Sequence, residues 1–377
     1  MTVGLGVSIG TVNTVCAVAT RDEGRHGPHR RAAGPPNTWR TTLTFDSTGT
    51  ARVGRIPRHG RAIAEFADLT QRGAPTARVG HRALSASDLV ATVADSVIRQ
   101  TIGAKPEAGV GITITHPVAY PPEVVADLRH ALDAVGLEQA RLVAEPIAAT
   151  AWLEAQYGPL MPGLALVYDL GGSGLTVTLV RVGAGCPVNP IVGEPLRSKV
   201  FGGRAFGALM ARRAHWSADD TPTLVGVLSD AKITELRTAH IRKSLGLVYE
   251  CLRIADVTMA DVDRVLVVGG AARPPEVAGV LGDTLARPVF VAPDPERTVA
   301  DGAAILACRS AAKPVAVAHR RVVRVGGSGL RRRLTRAAVT TAVAAAGALF
   351  AATAVANEGS SSVIIDASGV CIVAPSH

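Results

Sequence analysis

The sequence predicts an α/β fold of two related lobes facing a cleft, and three observations predict it. An apolar strand, a glycine turn and a second strand occur twice, as VGLGVSIGTVNTVCAVAT from Val3 to Thr20 and ALVYDLGGSGLTVTLVRV from Ala165 to Val182. Ile9-Gly10 aligns with Leu170-Gly171 in that register. A small-residue helix signature follows each copy, Ala144-Glu145-Pro146-Ile147-Ala148-Ala149 and Val299-Ala300-Asp301-Gly302-Ala303-Ala304. Between them, apolar runs of strand length alternate with segments of helical period, the pattern of packed α/β layers.

Each element has its local reason. Ser85 and Asp88 stand at capping-box spacing, and Leu89, Val93 and Val97 recur on one face, so a helix is expected over Ser85–Gly103. Gly109–Thr115 (GVGITIT) reads as a strand. Pro121-Pro122 opens a helix carrying Val124, Val125, Leu128, Leu132 and Val135. Arg141-Leu142-Val143 is a short strand, and Val262–Val268 a strand ending at Gly269-Gly270. Helices are expected at about Ala231–Ile254 and Glu276–Leu285.

Composition narrows the function classes. The 377 residues suggest about two domains or lobes. An apolar fraction of 47% excludes disorder of the whole chain, and 3% aromatics argue against stacking on single-stranded nucleic acid. Cys16, Cys186, Cys251, Cys308 and Cys371 form no CxxC pair and no cluster with histidine, which argues against structural zinc and against a disulfide scaffold. The net charge is +9, but residues 311–336 hold eight positive groups and no negative one. Glu358 and Asp366 are the only acids beyond, so residues 1–310 carry just +3 and no nucleic-acid partner is expected. Arginine makes up 35 of the 40 basic residues, a composition that fits a GC-rich bacterium.

Residues 337–356, AAVTTAVAAAGALFAATAVA, are twenty uncharged residues, enough for a helix of ~30 Å. With the arginine run before it, this predicts a single C-terminal transmembrane helix in a bacterial inner membrane, with the N-terminal domain cytoplasmic. The expected organisation is lobe I over about 1–160, lobe II over about 161–310, a basic linker 311–336, the membrane helix, and an extracytoplasmic tail 357–377. A buried alanine helix is the alternative reading of that segment.

Glycine turns between strands lack Cβ atoms, so their amides can converge on phosphate oxygens. Gly10-Thr11-Val12 and Gly171-Gly172-Ser173-Gly174 form a matched pair of such turns, and Gly269-Gly270 is a third glycine-marked strand end. No HxxxH or HxH spacing supports a histidine metal site, and no Gly-x-Ser-x-Gly elbow supports a hydrolase.

These residues resemble the nucleotide-binding domain of the seventy-kilodalton heat-shock chaperones, within the actin-like ATPase superfamily and its duplicated ribonuclease H-like fold. The first phosphate motif resembles Val7-Ser8-Ile9-Gly10-Thr11-Val12-Asn13-Thr14, and the second Val167-Tyr168-Asp169-Leu170-Gly171-Gly172. The adenosine motif resembles Val265–Pro274, with Gly269, Gly270, Ala271 and Arg273. Ala144-Glu145-Pro146 and Asp294-Pro295-Glu296 with Val299 and Asp301-Gly302 are similar to the two connecting helices, and Phe201-Gly202-Gly203 to a glycine turn after the second motif. The resemblance spans roughly residues 3–308. It implies ATP or ADP with Mg2+, catalytic roles for Glu145 and Asp169, and a metal role for Asp169. It implies nucleotide contacts at Gly10, Thr11, Val12, Gly171, Gly172, Ser173, Gly202, Gly203, Gly269, Gly270, Ala271, Arg273 and Glu296.

The departures matter equally. The family has aspartates where Ser8 and Thr176 stand, and a threonine where Gly174 stands. It uses a lysine in the first lobe, but no lysine precedes Lys105 here, and Arg72 is the nearest positive candidate for that role. Only residues 211–230 separate the Gly202-Gly203 segment from the next helix, so the subdomain that clasps adenine is expected to be missing. The peptide-binding domain is expected to be absent too. The sequence thus implies a membrane-anchored ATP-binding protein with weak or lost ATPase activity, a nucleotide switch or scaffold for a membrane-associated complex. A nucleotide-free scaffold and a membrane-bound filament former are the alternatives, and a small-molecule kinase lacks the aspartate base it would need.

Overall fold

The computed structural model describes residues 2–21, 30–31, 37–46, 48–56, 62–71, 73, 76–79, 82–103, 109–216 and 228–311. The linker, membrane segment and tail read from the sequence lie outside the described residues, as do Arg72 and most of 211–230. Among the described residues, no helix is long and apolar enough to cross a membrane.

The first lobe is built on a mixed sheet. Strand β1 (Thr2–Ile9) pairs antiparallel with β2 (Asn13–Arg21), whose far edge carries β3 (Arg30–Arg31) and β4 (Asn37–Arg40). Two small ribbons follow, β5 (Leu43–Phe45) with β6 (Ala51–Val53), and β7 (Ala77–Val79) with β8 (Arg82–Leu84). Helix α1 (Ala86–Ile102) begins at a capping box, Ser85 accepting from the Asp88 amide and Asp88 accepting from the Ser85 amide. Strand β9 (Val110–His116) then lies parallel to β1; α2 (Pro122–Ala134) follows, and β10 (Arg141–Ala144) lies parallel to β9. Leu5, Val7, Ile114, Leu89, Val93, Val97, Leu128 and Leu132 form the core between sheet and helices. Each such side chain contributes about 1.5–3 kcal/mol on full burial.

Helix α3 (Glu145–Tyr157) leads into the second lobe, where the pattern recurs. Strands β11 (Gly163–Leu170), β12 (Leu175–Val182) and β13 (Ile191–Ser198) form an antiparallel run. Helices α4 (Gly203–Trp216) and α5 (Asp230–Ile254) follow, then β14 (Arg264–Val268), α6 (Pro275–Leu285), β15 (Val289–Val291) and α7 (Thr298–Ala311). Strands β14 and β15 extend the sheet in parallel on the other side of β11. The order β15-β14-β11-β12 repeats β10-β9-β1-β2 strand for strand, with the same parallel and antiparallel pairings. The duplication visible as sequence is therefore a duplication of topology. Inside the second core, Tyr168 and Ser244 share a buried hydroxyl–hydroxyl hydrogen bond of 2.6 Å, which fixes α5 on β11.

Helices α3 and α7 carry the small residues. Helix α7 lies on β1 and β9 and crosses α3. It can do so because Gly4, Gly6 and Gly111 on the strands, and Gly302 on the helix, sit where any Cβ would run into facing backbone.

Candidate functional site

Both hairpin turns close in the same way. Ile9 pairs with Thr14 and Leu170 with Leu175, leaving four residues in each turn. The Gly10 amide donates to the Asn13 carbonyl at 3.0 Å, and the Gly171 amide to the Gly174 carbonyl at 2.9 Å. The amides of Thr11, Val12, Gly172 and Ser173 donate to no carbonyl among the described residues, so they remain available to an anion. The first turn is buttressed by Thr41, whose hydroxyl donates to the Gly10 carbonyl at 2.7 Å. The tips meet where Val12 packs on Gly172, and a Cβ at 172 would run into the Val12 side chain.

A cavity of about 450 Å3 lies between the turns, within the size range of small-molecule sites. It is lined by Gly10, Thr11, Val12, Gly171, Gly172, Ser173, Gly203, Gly269, Gly270, Ala271, Arg273 and Glu296, and by Glu145 and Asp169. Of the catalytic and nucleotide-contact residues that the resemblance implies, Gly202 alone does not line it. At φ +132°, Gly202 lies behind the wall against Gly174 and the Gly171 carbonyl, and the amides of Gly203 and Arg204 donate to the carbonyls of Gly171 and Gly172. It braces the second turn rather than facing the cavity. No α5 residue lines the cavity among the described residues.

Glu145 is the first residue of α3 and Asp169 the penultimate residue of β11. Each is half-buried, facing the cavity with protein on its other sides. Burial pushes both carboxyls up from the ordinary range, and the neighbouring Asp169 charge pushes Glu145 further; Arg197 opposes both shifts. Asp68 behaves oppositely: burial would raise it, but the Thr70 hydroxyl, Arg197 and Lys199 together hold it below the usual carboxylate range.

Further polar residues join the site. Arg197 lines the cavity and donates to both oxygens of Asp68, at 3.4 and 3.3 Å. Lys199 also reaches Asp68, at 3.1 Å. The Tyr120 hydroxyl donates to the Ala67 carbonyl at 2.8 Å and accepts from the Leu69 amide, fixing the segment that carries Asp68. Asn13 donates to Glu296, and Glu296 with Asp294 pairs to Arg273, so the adenosine-like motif is tied to the first turn. Arg204 and Glu65 form another bridge between lobes, at 3.1 Å. Arg197, Asp68, Lys199 and Tyr120 carry no local sequence signal; the register across β12 and β13 is what brings Arg197 in.

The chain matches known proteins over part of its length. The family model described as Hsp70 protein matches residues 213–315, from the end of α4 through the Gly269-Gly270 strand end and α7. A protein named Chaperone protein HscA homolog from Cupriavidus pinatubonensis is 30% identical over 234 residues, 52% of this chain and 37% of that protein. Its counterpart from Aliivibrio salmonicida is 28% identical over 232 residues, 52% and 36% of the two chains. Chaperone protein HscA of Escherichia coli O6:H1 is 28% identical over 226 residues, again 52% and 36%. The chain spans little more than a third of the length of these curated relatives. Sheet topology, paired glycine turns and these matches support a nucleotide-binding domain similar to that of Hsp70 proteins.

The resemblance implies a nucleotide and magnesium. The cavity fits the first, with two glycine turns offering free amides. It does not fit a protein-held magnesium. Mg2+ demands octahedral oxygen ligands and takes one or two carboxylates besides phosphates and water. Here Ser8 and Thr176 flank Asp169 and Glu145 as neutral groups, and the Arg197 guanidinium already faces both carboxylates. Among the described residues no group of three or more His, Cys, Asp or Glu is placed to hold a metal ion.

Proposed function

We propose that the chain binds ATP or ADP between its two glycine turns and hydrolyses ATP slowly or not at all. It acts as a nucleotide switch or scaffold for a complex at the inner membrane. The observation that carries the binding half is the matched pair of turns, with unengaged amides on either side of one cavity. The amides of Thr11, Val12, Gly172 and Ser173 would hold phosphate, and Gly270, Ala271 and Arg273 would face the nucleoside.

Weak turnover follows from the residues at the floor. Phosphoryl transfer rests on positioning and on charge neutralisation, and two neutral side chains stand at Ser8 and Thr176 beside the carboxylates. Losing one preorganised electrostatic group costs about 100-fold or more. The membrane half rests on residues 337–356 and the arginine run before them, which lie outside the described residues.

A nucleotide-free scaffold is the second reading, favoured by the Val12–Gly172 contact that already joins the turns. Thermal-shift titration of the full chain with ATP and ADP separates the two: a saturable rise in Tm supports binding, and none supports the scaffold. Single-turnover hydrolysis, with Ser8→Asp as comparator, tests the slow chemistry; fast wild-type turnover would refute it.

A further inference from the structure

Asp169, Thr176 and Arg197 form one lateral row across three strands. In the register, Asp169 pairs with Thr176 between β11 and β12, and Thr176 pairs with Arg197 between β12 and β13. Directly paired residues share a face of the sheet, with Cβ atoms about 5 Å apart. Asp169, Thr176 and Arg197 all line the cavity, so this row faces it. Arg197 lines the cavity with its side chain 18% exposed. Two of its five N–H groups go to Asp68, which is already engaged by Lys199 and by the Thr70 hydroxyl. Among the described residues the rest of its planar fork meets no partner, and it can meet an anion entering the cavity, the geometry that suits phosphate oxygens. The neighbouring row position, where a carboxylate would draw in a dication, holds only the Thr176 hydroxyl.

We infer that Arg197 is the resident cation of this cleft, neutralising the terminal phosphates of a nucleoside di- or triphosphate so that binding needs no divalent metal. This rests on the reading that the cleft takes a nucleotide. Arg197 is thus a binding residue supplied by the second lobe, and Asp68 is a positioning residue that holds the guanidinium from the first. The ligand class follows from the chemistry: a flexible polyphosphate whose charge a carboxylate-containing cavity would otherwise repel.

The test is calorimetric titration of the full chain with ATP, in EDTA and in excess MgCl2. Wild type is expected to bind with affinities within about threefold in the two buffers. Arg197→Met is expected to lose at least tenfold in EDTA, the scale of a charge-assisted contact. Arg197→Lys keeps the charge without the fork and should fall between them, which holds the test open if the methionine variant does not fold. Wild-type binding that needs magnesium by tenfold or more would overturn the inference and leave the nucleotide reading standing. Unchanged binding by folded Arg197→Met would overturn it as well. No binding in either buffer would overturn both.

Discussion

Replacing Gly302 with alanine should destabilise the protein, against the expectation from helix propensity. Alanine in a helix interior is favoured over glycine by about 1 kcal/mol. At 302, however, a Cβ would run into the Ala148 carbonyl of α3 and come within 3.2 Å of the Trp152 amide nitrogen. Both facing groups are helix backbone, so neither rotates away. Ala148 and Ala303 are fully buried in the cluster at this crossing, which leaves no slack. Overpacking of this kind costs typically 1–3 kcal/mol and more when backbone must move, so the net loss is about 2 kcal/mol. For a unit of this size that lowers Tm by roughly 4 °C. Gly246→Ala is the control: it lies on exposed α5 surface with nothing near its Cβ position, and should gain about 0.5–1 kcal/mol. Differential scanning calorimetry on the two variants reads the difference. If Gly302→Ala matches or exceeds wild type, the close crossing of α3 and α7 is wrong.

Other expectations follow from the site and the caps. Asp68→Asn removes a buried partner of Arg197 and Lys199; breaking buried pairs costs about 3–5 kcal/mol, and the 60% exposure of Lys199 reduces this to roughly 2–3, read as a drop in the denaturant midpoint. Glu145 and Asp169 titrate above their ordinary range in the folded protein, so the folded state holds protons that the unfolded chain has released, and their contribution to stability falls as pH rises from about 5 toward 8. His116 and His240, whose imidazoles burial lowers, act with the opposite sign, so the comparison is wild type against Glu145→Gln, whose stability difference should grow in the variant's favour across that window. A flat difference would contradict the buried-carboxylate account. Ser85→Ala removes the cap of α1 and should cost about 1 kcal/mol in urea melts, with no loss of nucleotide affinity.

Much of this was legible because it is local. The Ser85–Asp88 spacing named a capping box, and the four-residue turns at Gly10 and Gly171 were visible as glycines between alternating strands. The α3 and α7 signatures were visible as small residues, although what they cross could only come from three dimensions. Arg197 was not legible: a β-bulge between Val177 and Leu179 shifts the β12–β13 register, and the row Asp169–Thr176–Arg197 depends on it. Asp68 lies in an aperiodic segment held by Tyr120 from fifty residues away, which no local pattern reveals. The contact expected at Gly202 came from the resemblance of Phe201-Gly202-Gly203 to a family turn, whereas its positive φ serves the packing of one turn on another.

The most direct measurement is calorimetry of ATP with wild type and with Gly172→Val, whose side chain would wedge against Val12 and pry the turns apart. One saturable site in wild type, lost in a variant that still melts cooperatively, is the result this structure predicts. Absence of heat in the wild type, or equal binding by the folded variant, would mean that the paired turns do not hold a nucleotide.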